Sequence, residues 1–267
     1  MPDIASAAGT EIQGYSLETR ELSVRFGGHV AVDAVSCGFH RGTLTAIVGP
    51  NGAGKTTYFN LISGQIRPTG GHVLLEGRDI TPMRTSRRAH AGIGRAFQLT
   101  NLFPNLTVME NIRLVLQSRA HLGIDMWRLW DRSKNLLERT EQILEMVSLK
   151  HRREKHAAVL SHGDQRKLEV GMLIALDPEI YMFDEPTAGM SVDEVPVILD
   201  LIRALKKRSG KTVLLVEHKM DVVRELADRI IVLHNGAKVA DGDPETVIAL
   251  PVVQQAYLGL APAQEVA

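Results

Sequence analysis

The stretch GPNGAGKTTYFNLISG, Gly49–Gly64, decides the fold. It follows the apolar run TLTAIV and matches the pattern G-x-x-x-x-G-K-[ST]. A loop of this kind turns backbone N–H groups and the N-terminus of a helix toward a phosphate. A glycine-rich turn without a ligand is the alternative. The strand-like run before the loop and the helix-like run after it favour nucleoside triphosphate binding.

In this interpretation the loop and the first helical turn hold the phosphates. Lys55 reaches the β- and γ-phosphates, and Thr56 is a ligand of Mg²⁺. The residues expected to bind the nucleotide here are Gly49, Pro50, Asn51, Gly52, Ala53, Gly54, Lys55, Thr56 and Thr57.

Composition limits the classes of function. The 267 residues are 44% apolar, which is enough for a buried core, and carry 31 basic and 31 acidic side chains. A formal charge of zero argues against a nucleic-acid partner. The single Cys37 excludes an internal disulfide, and no run approaches the length of a membrane span. The start of the chain lacks the features of a signal peptide, so we expect a cytosolic chain.

The order of strand-like and helix-like segments predicts an α/β fold with a P-loop NTPase (RecA-like) core. Its sheet should be mixed and largely parallel, with an N-terminal antiparallel β portion and an inserted helical subdomain. The predicted parts are a disordered leader (1–15), one domain (16–260) with its core in 16–97 and 176–242 and its helical subdomain in about 98–175, a C-terminal helical segment (243–260) and a tail (261–267).

Two carboxylates follow the short apolar strand in IYMFDEP. One acid could simply mark the point where the strand reaches solvent. Two in succession, in a chain with a phosphate loop, favour Asp184 as a metal ligand and Glu185 as the base that polarises an attacking water. The chain is therefore expected to be a hydrolase.

The segment LSHGDQRKLEVGMLIAL places Ser161 at the head of a helix, with Gly163 in its first turn. Ser161 and Asp164 fit an ordinary capping box. A helix N-terminus with a hydroxyl and a glycine also fits a second anion site. The residues alone leave both interpretations open.

Gln98 and His218 each follow a strand-like segment. A single glutamine or histidine is usually structural. Ligands of open α/β sheets bind beyond the carboxyl ends of the strands, and this position favours a functional role for both residues.

The motifs GPNGAGKT, Gln98, LSHGDQ, IYMFDEP and VEH occur in the order, and at about the spacing, of the ATP-binding cassette (ABC) ATPases. The chain resembles this family over roughly residues 16–260. The resemblance implies that the nucleotide is ATP, that Phe26 stacks on adenine, and that Gln98 touches the metal and a membrane partner. It also implies that His218 contacts the γ-phosphate beside Glu185 and Lys55.

The resemblance also addresses the open case of the LSHGDQ helix. In the family this helix completes the ATP site of a second cassette, so Ser161 and Gly163 would act across a head-to-tail dimer. The departures from the family pattern are three residues in two motifs: in LSHGD, His162 and Asp164 replace the usual Gly and Gln, and after the two acids Ser191 stands where Asp is common.

Within the family, the chain is most similar to the cassettes of bacterial branched-chain amino acid uptake systems, in VRFGGHVAVDAVS, GRAFQLTNLFPNLTVMENI, DEPTAGM, VEHKMDVV and AYLG. Urea and other amide importers share these traits. The implied partners are membrane permease subunits, a second ATPase subunit in a homo- or heterodimer and, indirectly, a periplasmic substrate-binding protein. The implied location is the cytoplasmic face of the inner membrane. A soluble cassette acting on ribosomes or DNA is the alternative from another class.

Overall fold

A computed structural model describes residues 14–96, 102–119, 129–207 and 210–258. Within these ranges the strands are β1 (Leu17–Phe26), β2 (His29–Phe39), β3 (Leu44–Val48), β4 (Gly70–Leu75), β5 (Arg78–Asp79), β6 (Ile93–Ala96), β7 (Ile180–Asp184), β8 (Thr212–Val216), β9 (Arg229–His234) and β10 (Ala237–Gly242). The α-helices are α1 (Lys55–Ser63), α2 (Thr85–His90), α3 (Val108–Arg119), α4 (Leu129–Met146), α5 (His162–Leu176), α6 (Val195–Lys206), α7 (Met220–Leu226), α8 (Pro244–Ile248) and α9 (Pro251–Leu258).

Two sheets form the framework of the described chain. One has the strand order β10-β9-β3-β8-β7-β6 and is parallel except for β10. The other, β2-β1-β4-β5, is antiparallel. The predicted α/β fold, with its antiparallel N-terminal portion, is confirmed.

The faces of the larger sheet explain why its strands are almost entirely apolar. In β7, Tyr181 and Phe183 pack into the cluster that contains α3, α5 and α6. Ile180 and Met182 point to the opposite face and pack with α1 and the antiparallel sheet. Because side chains alternate along a strand, a strand covered on both faces has to be apolar throughout.

Local sequence patterns predict how the helices between β6 and β7 begin and pack: Thr107 and Glu110 fit a capping box, and Leu136, Thr140, Ile143, Leu144 and Val147 lie on one helical face. The N–H of Glu110 donates to Thr107 Oγ1 at 3.2 Å, and the N–H of Thr107 donates to Glu110 Oε2 at 2.7 Å, which is a capping box before α3. In α4 the predicted inner face is buried at Thr140, Ile143 and Leu144. Ile143 and Leu144 belong to the same core cluster as Tyr181 and Phe183 of the neighbouring sheet face. Within the described ranges, no helix has both the length and the apolar character needed to cross a bilayer.

The sequence predicts a helix that is capped by Ser191 and Glu194 and distorted by Pro196, and the structure differs from this prediction at the start of α6. Ser191 and Glu194 do interact, through the Ser191 N–H and Oγ at 3.3 and 3.0 Å from Glu194 Oε2. The helix, however, begins at Val195, after this turn. Pro196 therefore lies at the second helical position, where its missing N–H costs nothing, and the expected distortion does not occur.

The ends of the chain show further local signals. The Asn-Gly pair in HNGAK predicts a hairpin turn, and Asn235 and Gly236, at φ 48° and 79°, make this turn between β9 and β10. Asp243 accepts the N–H of Glu245 at 2.9 Å and caps α8. Tyr15, within the predicted leader, packs against His40 in a tilted arrangement, with 4.8 Å between ring centroids and 56° between the ring planes. Most of the predicted leader (1–13) and the predicted tail (261–267) lie outside the described residues.

A buried arginine closes the C-terminal end of α1. The Arg88 guanidinium donates to the carbonyl oxygens of Leu61 at 2.7 Å and Ile62 at 2.6 Å. It also donates to those of Thr81 and Met83, at 2.9 and 3.2 Å. The last carbonyls of a helix have no partner within the helix, so Arg88 satisfies them and ties α1 to the segment before α2.

We expect Arg88→Met to destabilise the chain, because buried carbonyl oxygens lose their donors. The loss should be about 1 to 3 kcal/mol. At roughly 2 to 4 °C per kcal/mol for a chain of this size, thermal melting should detect it. Arg87→Met is the matched control, since Arg87 lies on the same helix and is exposed. Equal melting temperatures for the two variants would contradict the assignment.

Candidate nucleotide site

The phosphate loop, Asp184, Glu185 and His218 meet at one edge of the parallel sheet. The strands β3, β8 and β7 are neighbours, and their carboxyl ends lead into Gly49, Glu217 and Glu185 respectively. Ligands of such sheets bind beyond these ends. β6 also ends here, at Ala96, but Gln98 lies outside the described residues.

The loop between β3 and α1 depends on its glycines. Gly49, Gly52 and Gly54 have φ of 153°, 81° and 95°. A Cβ on Gly54 would clash with the carbonyl oxygen of Ala31, and one on Gly49 with that of Leu233. Within the described chain, no side chain caps α1, which begins directly after Gly54. The first N–H groups of this helix are therefore suited to an anion.

Lys55 is buried and lies across the loop. Its Nζ donates to the carbonyl oxygens of Gly49 at 2.7 Å and Pro50 at 2.9 Å. Burial lowers the pKa of Lys55, and the charges of Glu185 and Asp184 oppose that shift. The ammonium group is therefore within electrostatic reach of both predicted acids.

Asp184 is the buried acid at the end of β7. Its Oδ2 accepts a 2.7 Å hydrogen bond from Arg95 Nη2. Among the described residues, none donates a hydrogen bond to its buried Oδ1. Burial raises the pKa of Asp184, and the charge of Arg95 opposes the rise. A buried carboxylate oxygen without a donor fits a role as a ligand of a hard cation, as predicted for Mg²⁺.

Glu185 and His218 face one another. The His218 Nδ1 lies 3.9 Å from Glu185 Oε1, and the two side chains are 50% and 26% exposed. Glu185 has φ 48°, a strained value for a residue with a side chain. Its N–H donates to Val216 O at 2.9 Å, and Arg166 Nη2 donates to its carbonyl oxygen at 3.3 Å. These bonds hold the strained turn that points Glu185 toward solvent and His218.

Two neighbouring residues were missed by the sequence analysis. Thr187 Oγ1 donates to Glu217 Oε1 at 2.9 Å, and both side chains are buried. Burial raises the pKa of Glu217, while the hydrogen bond from Thr187 opposes the rise. The bond joins the turn after Glu185 to the residue before His218. The sequence did contain a signal for Glu217, because a carboxylate at the end of the apolar run KTVLLVE indicates a polar group at the end of a buried strand.

Phe26 and the β1–β2 hairpin lie beside the loop. Phe26 is 50% exposed at the end of β1, which is unusual for a core aromatic residue. β2 contributes Ala31, whose carbonyl oxygen approaches both Gly54 and Gly236. An exposed ring at this position is available for stacking.

The LSHGDQ segment has a geometry of its own. Ser161 is exposed and caps α5, with the Asp164 N–H 3.2 Å from its Oγ. Asp164 pairs with Arg152 at 2.9 Å, and Lys167 pairs with Asp164 at 3.3 Å and with Glu194 at 3.0 Å. A Cβ on Gly163 would clash with the Glu194 carboxylate. The capping interpretation is thus realised, and the close packing of Gly163 within this chain is against Glu194.

Comparison with known proteins identifies the family. A family model described as ABC transporter matches residues 32–188. The chain is 36% identical over 250 residues to the high-affinity branched-chain amino acid transport ATP-binding protein LivG of Escherichia coli K12, covering 92% of this chain and 98% of that protein. It is 38% identical over 252 residues to BraF of Pseudomonas aeruginosa, a protein of the same description, with the same coverage.

Solved structures agree. The crystal structure of a nucleotide-free ATP-binding cassette from an ABC transporter matches with a TM-score of 0.77 and 30% identity, over 91% of this chain and 99% of that one. A cassette in its ADP conformation matches with the same TM-score and identity, over 91% of this chain and 98% of that one. The chain belongs to the ABC transporter family and is an ATPase of that family.

The packing of Gly163 gives a prediction. Gly163→Ala should displace the Glu194 carboxylate from Lys167 and Ser191 and lower stability by about 1 kcal/mol, the worth of a typical hydrogen bond. If the clash with Glu194 causes this loss of stability, Gly163→Ala should cause little further loss in a chain that already carries Glu194→Ala. The double variant would then melt close to Glu194→Ala alone, as a double-mutant cycle measures. Strictly additive losses would show that Gly163 is constrained by something other than Glu194.

Proposed function

We propose that this chain binds and hydrolyses ATP to power a membrane importer for branched-chain or related amino acids. The main observation in support of an ATPase site is that Glu185 and His218 lie together at the sheet edge where the phosphate loop begins. The similarity to LivG and BraF, described as branched-chain amino acid transport proteins, supports the substrate class.

In the proposed site each residue has a defined task. The loop N–H groups and Lys55 bind the phosphates, Phe26 stacks on the adenine, and His218 contacts the γ-phosphate. Glu185 accepts a proton from the attacking water, a role that its partly exposed side chain suits better than the buried side chain of Asp184 does.

A bound Mg²⁺ fits the residues present. Thr56 in the first turn of α1 would hold it together with Asp184, whose Oδ1 accepts no hydrogen bond from the described residues. Gln98, which lies outside those residues, is the third ligand proposed from the sequence. When bound by these oxygen atoms and by the phosphates, Mg²⁺ would neutralise part of the negative charge on the phosphate oxygens.

We propose that a permease docks on the helical part of the chain. A cavity of about 460 Å³ there has a mainly apolar lining that includes Leu102, Phe103, Leu114 and Met172. Phe103 is 49% exposed and Leu114 38% exposed. Such a lining suits an apolar protein segment, and family membership makes a permease subunit the expected partner. The proposed location is the cytoplasmic face of the inner membrane, with a periplasmic binding protein as an indirect partner.

The base assignment is tested by Glu185→Gln. We expect ATP binding to persist and turnover to fall by about 10² to 10⁴, the usual contribution of a positioned general base. Glu179→Gln is the control, because Glu179 is exposed next to the opposite end of β7. Hydrolysis by Glu185→Gln at the rate of the control would remove Glu185 from this role.

A second cassette should complete the ATP site through Ser161, either as a copy of this chain or as a different subunit. ATPase rate per chain should therefore rise with protein concentration or with added partner. Ser161→Asp keeps an N-cap acceptor but brings a negative charge toward the phosphate, so it should abolish the rise without lowering the melting temperature. A rate independent of concentration and partner, and equal in Ser161→Asp, would leave Ser161 as a helix cap.

A further inference from the structure

Arg95 is a buried charge in the otherwise apolar strand β6. One end of its guanidinium, Nη2, binds Asp184 Oδ2 at 2.7 Å. The other end, Nη1, donates to Asn60 Oδ1 at 2.6 Å, to Ser63 Oγ at 3.1 Å and to Gln65 Oε1 at 3.3 Å. The planar fork of arginine can make these bonds together, whereas a lysine could not.

These contacts connect the two elements expected to hold the metal. Asn60 and Ser63 lie on α1, the helix that begins with Lys55 and Thr56. Asn60 is four residues after Thr56, so both lie on one side of the helix, one turn apart. Asp184 lies at the end of β7, on the other side of the guanidinium. The Arg95 Cζ is also 5.5 Å from the Phe59 ring centroid, which fixes the plane of the fork further.

When a hydrogen bond fixes one oxygen of a carboxylate, the direction of the other oxygen is fixed as well. With Asp184 Oδ2 bound to Arg95, the orientation of Oδ1 is set by Arg95 and, through it, by α1. Among the described residues, Oδ1 is the buried oxygen of Asp184 that accepts no hydrogen bond. The partners that orient a metal-binding carboxylate typically change metal affinity when they are removed.

We propose that Arg95 is a positioning residue that fixes Asp184 relative to Thr56, so that both can serve one divalent cation bound with the nucleotide. This inference rests on the metal role of Asp184 in the proposed function. It gives Arg95 a task beyond that of Arg88, a second buried arginine, which contacts only main-chain oxygens among its hydrogen-bond partners in the described chain.

The test measures divalent-cation binding, not activity. The full chain is loaded with ADP, Mn²⁺ is titrated in, and free Mn²⁺ is followed by electron paramagnetic resonance. ADP affinity without metal is measured in parallel. Arg95→Met should weaken Mn²⁺ binding roughly tenfold and leave metal-free ADP affinity unchanged. Arg95→Lys, which keeps the charge and loses the fork, should also weaken it.

Two further variants separate the outcomes. Arg88→Met should lower the melting temperature without changing the Mn²⁺ dissociation constant, which controls for general loosening of α1. Asp184→Asn should weaken Mn²⁺ binding at least as much as Arg95→Met. If Asp184→Asn weakens binding while both Arg95 variants match wild type, the positioning role is overturned and the proposed function stands.

Two results would overturn the inference in other ways. Tighter Mn²⁺ binding by Arg95→Met, with wild-type affinity in Arg95→Lys, would show that Arg95 acts as a competing charge. Wild-type Mn²⁺ binding by Asp184→Asn would remove the metal role of Asp184 and, with it, the task of Arg95.

Discussion

The site depends on one row of parallel backbone pairing. Val216 of β8 pairs with Ile47 of β3 on one side and with Asp184 of β7 on the other. Because the three strands run in the same direction and end close to this row, the phosphate loop, the two acids and His218 leave the sheet at one edge. A shift of any strand by one residue would exchange its inward and outward side chains and separate these groups.

The sequence predicted the strands, loops and helix caps of this edge better than it predicted the side-chain hydrogen bonds that join them. The phosphate loop, the apolar β7 followed by two acids, and the helix N-caps at Thr107 and Ser161 are local patterns, fixed by residues a few positions apart. The Arg95–Asp184 and Thr187–Glu217 bonds join residues 89 and 30 positions apart, and no local pattern specifies such partners. The same limit applies to α6, where the Ser191–Glu194 interaction was predicted correctly but the first helical residue was not.

The contacts of Asp164 explain how the chain accommodates this departure from the family pattern in LSHGD. Asp164, at a position where glutamine is usual, is buried and neutralised by Arg152 and Lys167. Because these two cations balance the charge of the Asp164 carboxylate, that charge does not repel an anion near the exposed Ser161. Lys167 also binds Glu194, so the helix start that carries Ser161 and the turn before α6 share one ion-pair network.

Several buried polar atoms without a hydrogen-bond partner, and one strained residue, lie at this sheet edge. Arg95 Nε, Asp184 Oδ1 and Glu217 Oε2 are buried without a hydrogen-bond partner in the described chain, and Glu185 has a positive φ. Each of these features costs folding free energy and persists only where the surrounding structure enforces it. Here the enforcement is visible: Val216 and Arg166 hold the Glu185 turn, Thr187 holds Glu217, and Arg95 is anchored on α1. A fold that spends stability on fixing polar groups at one edge has that edge arranged in advance for a charged ligand.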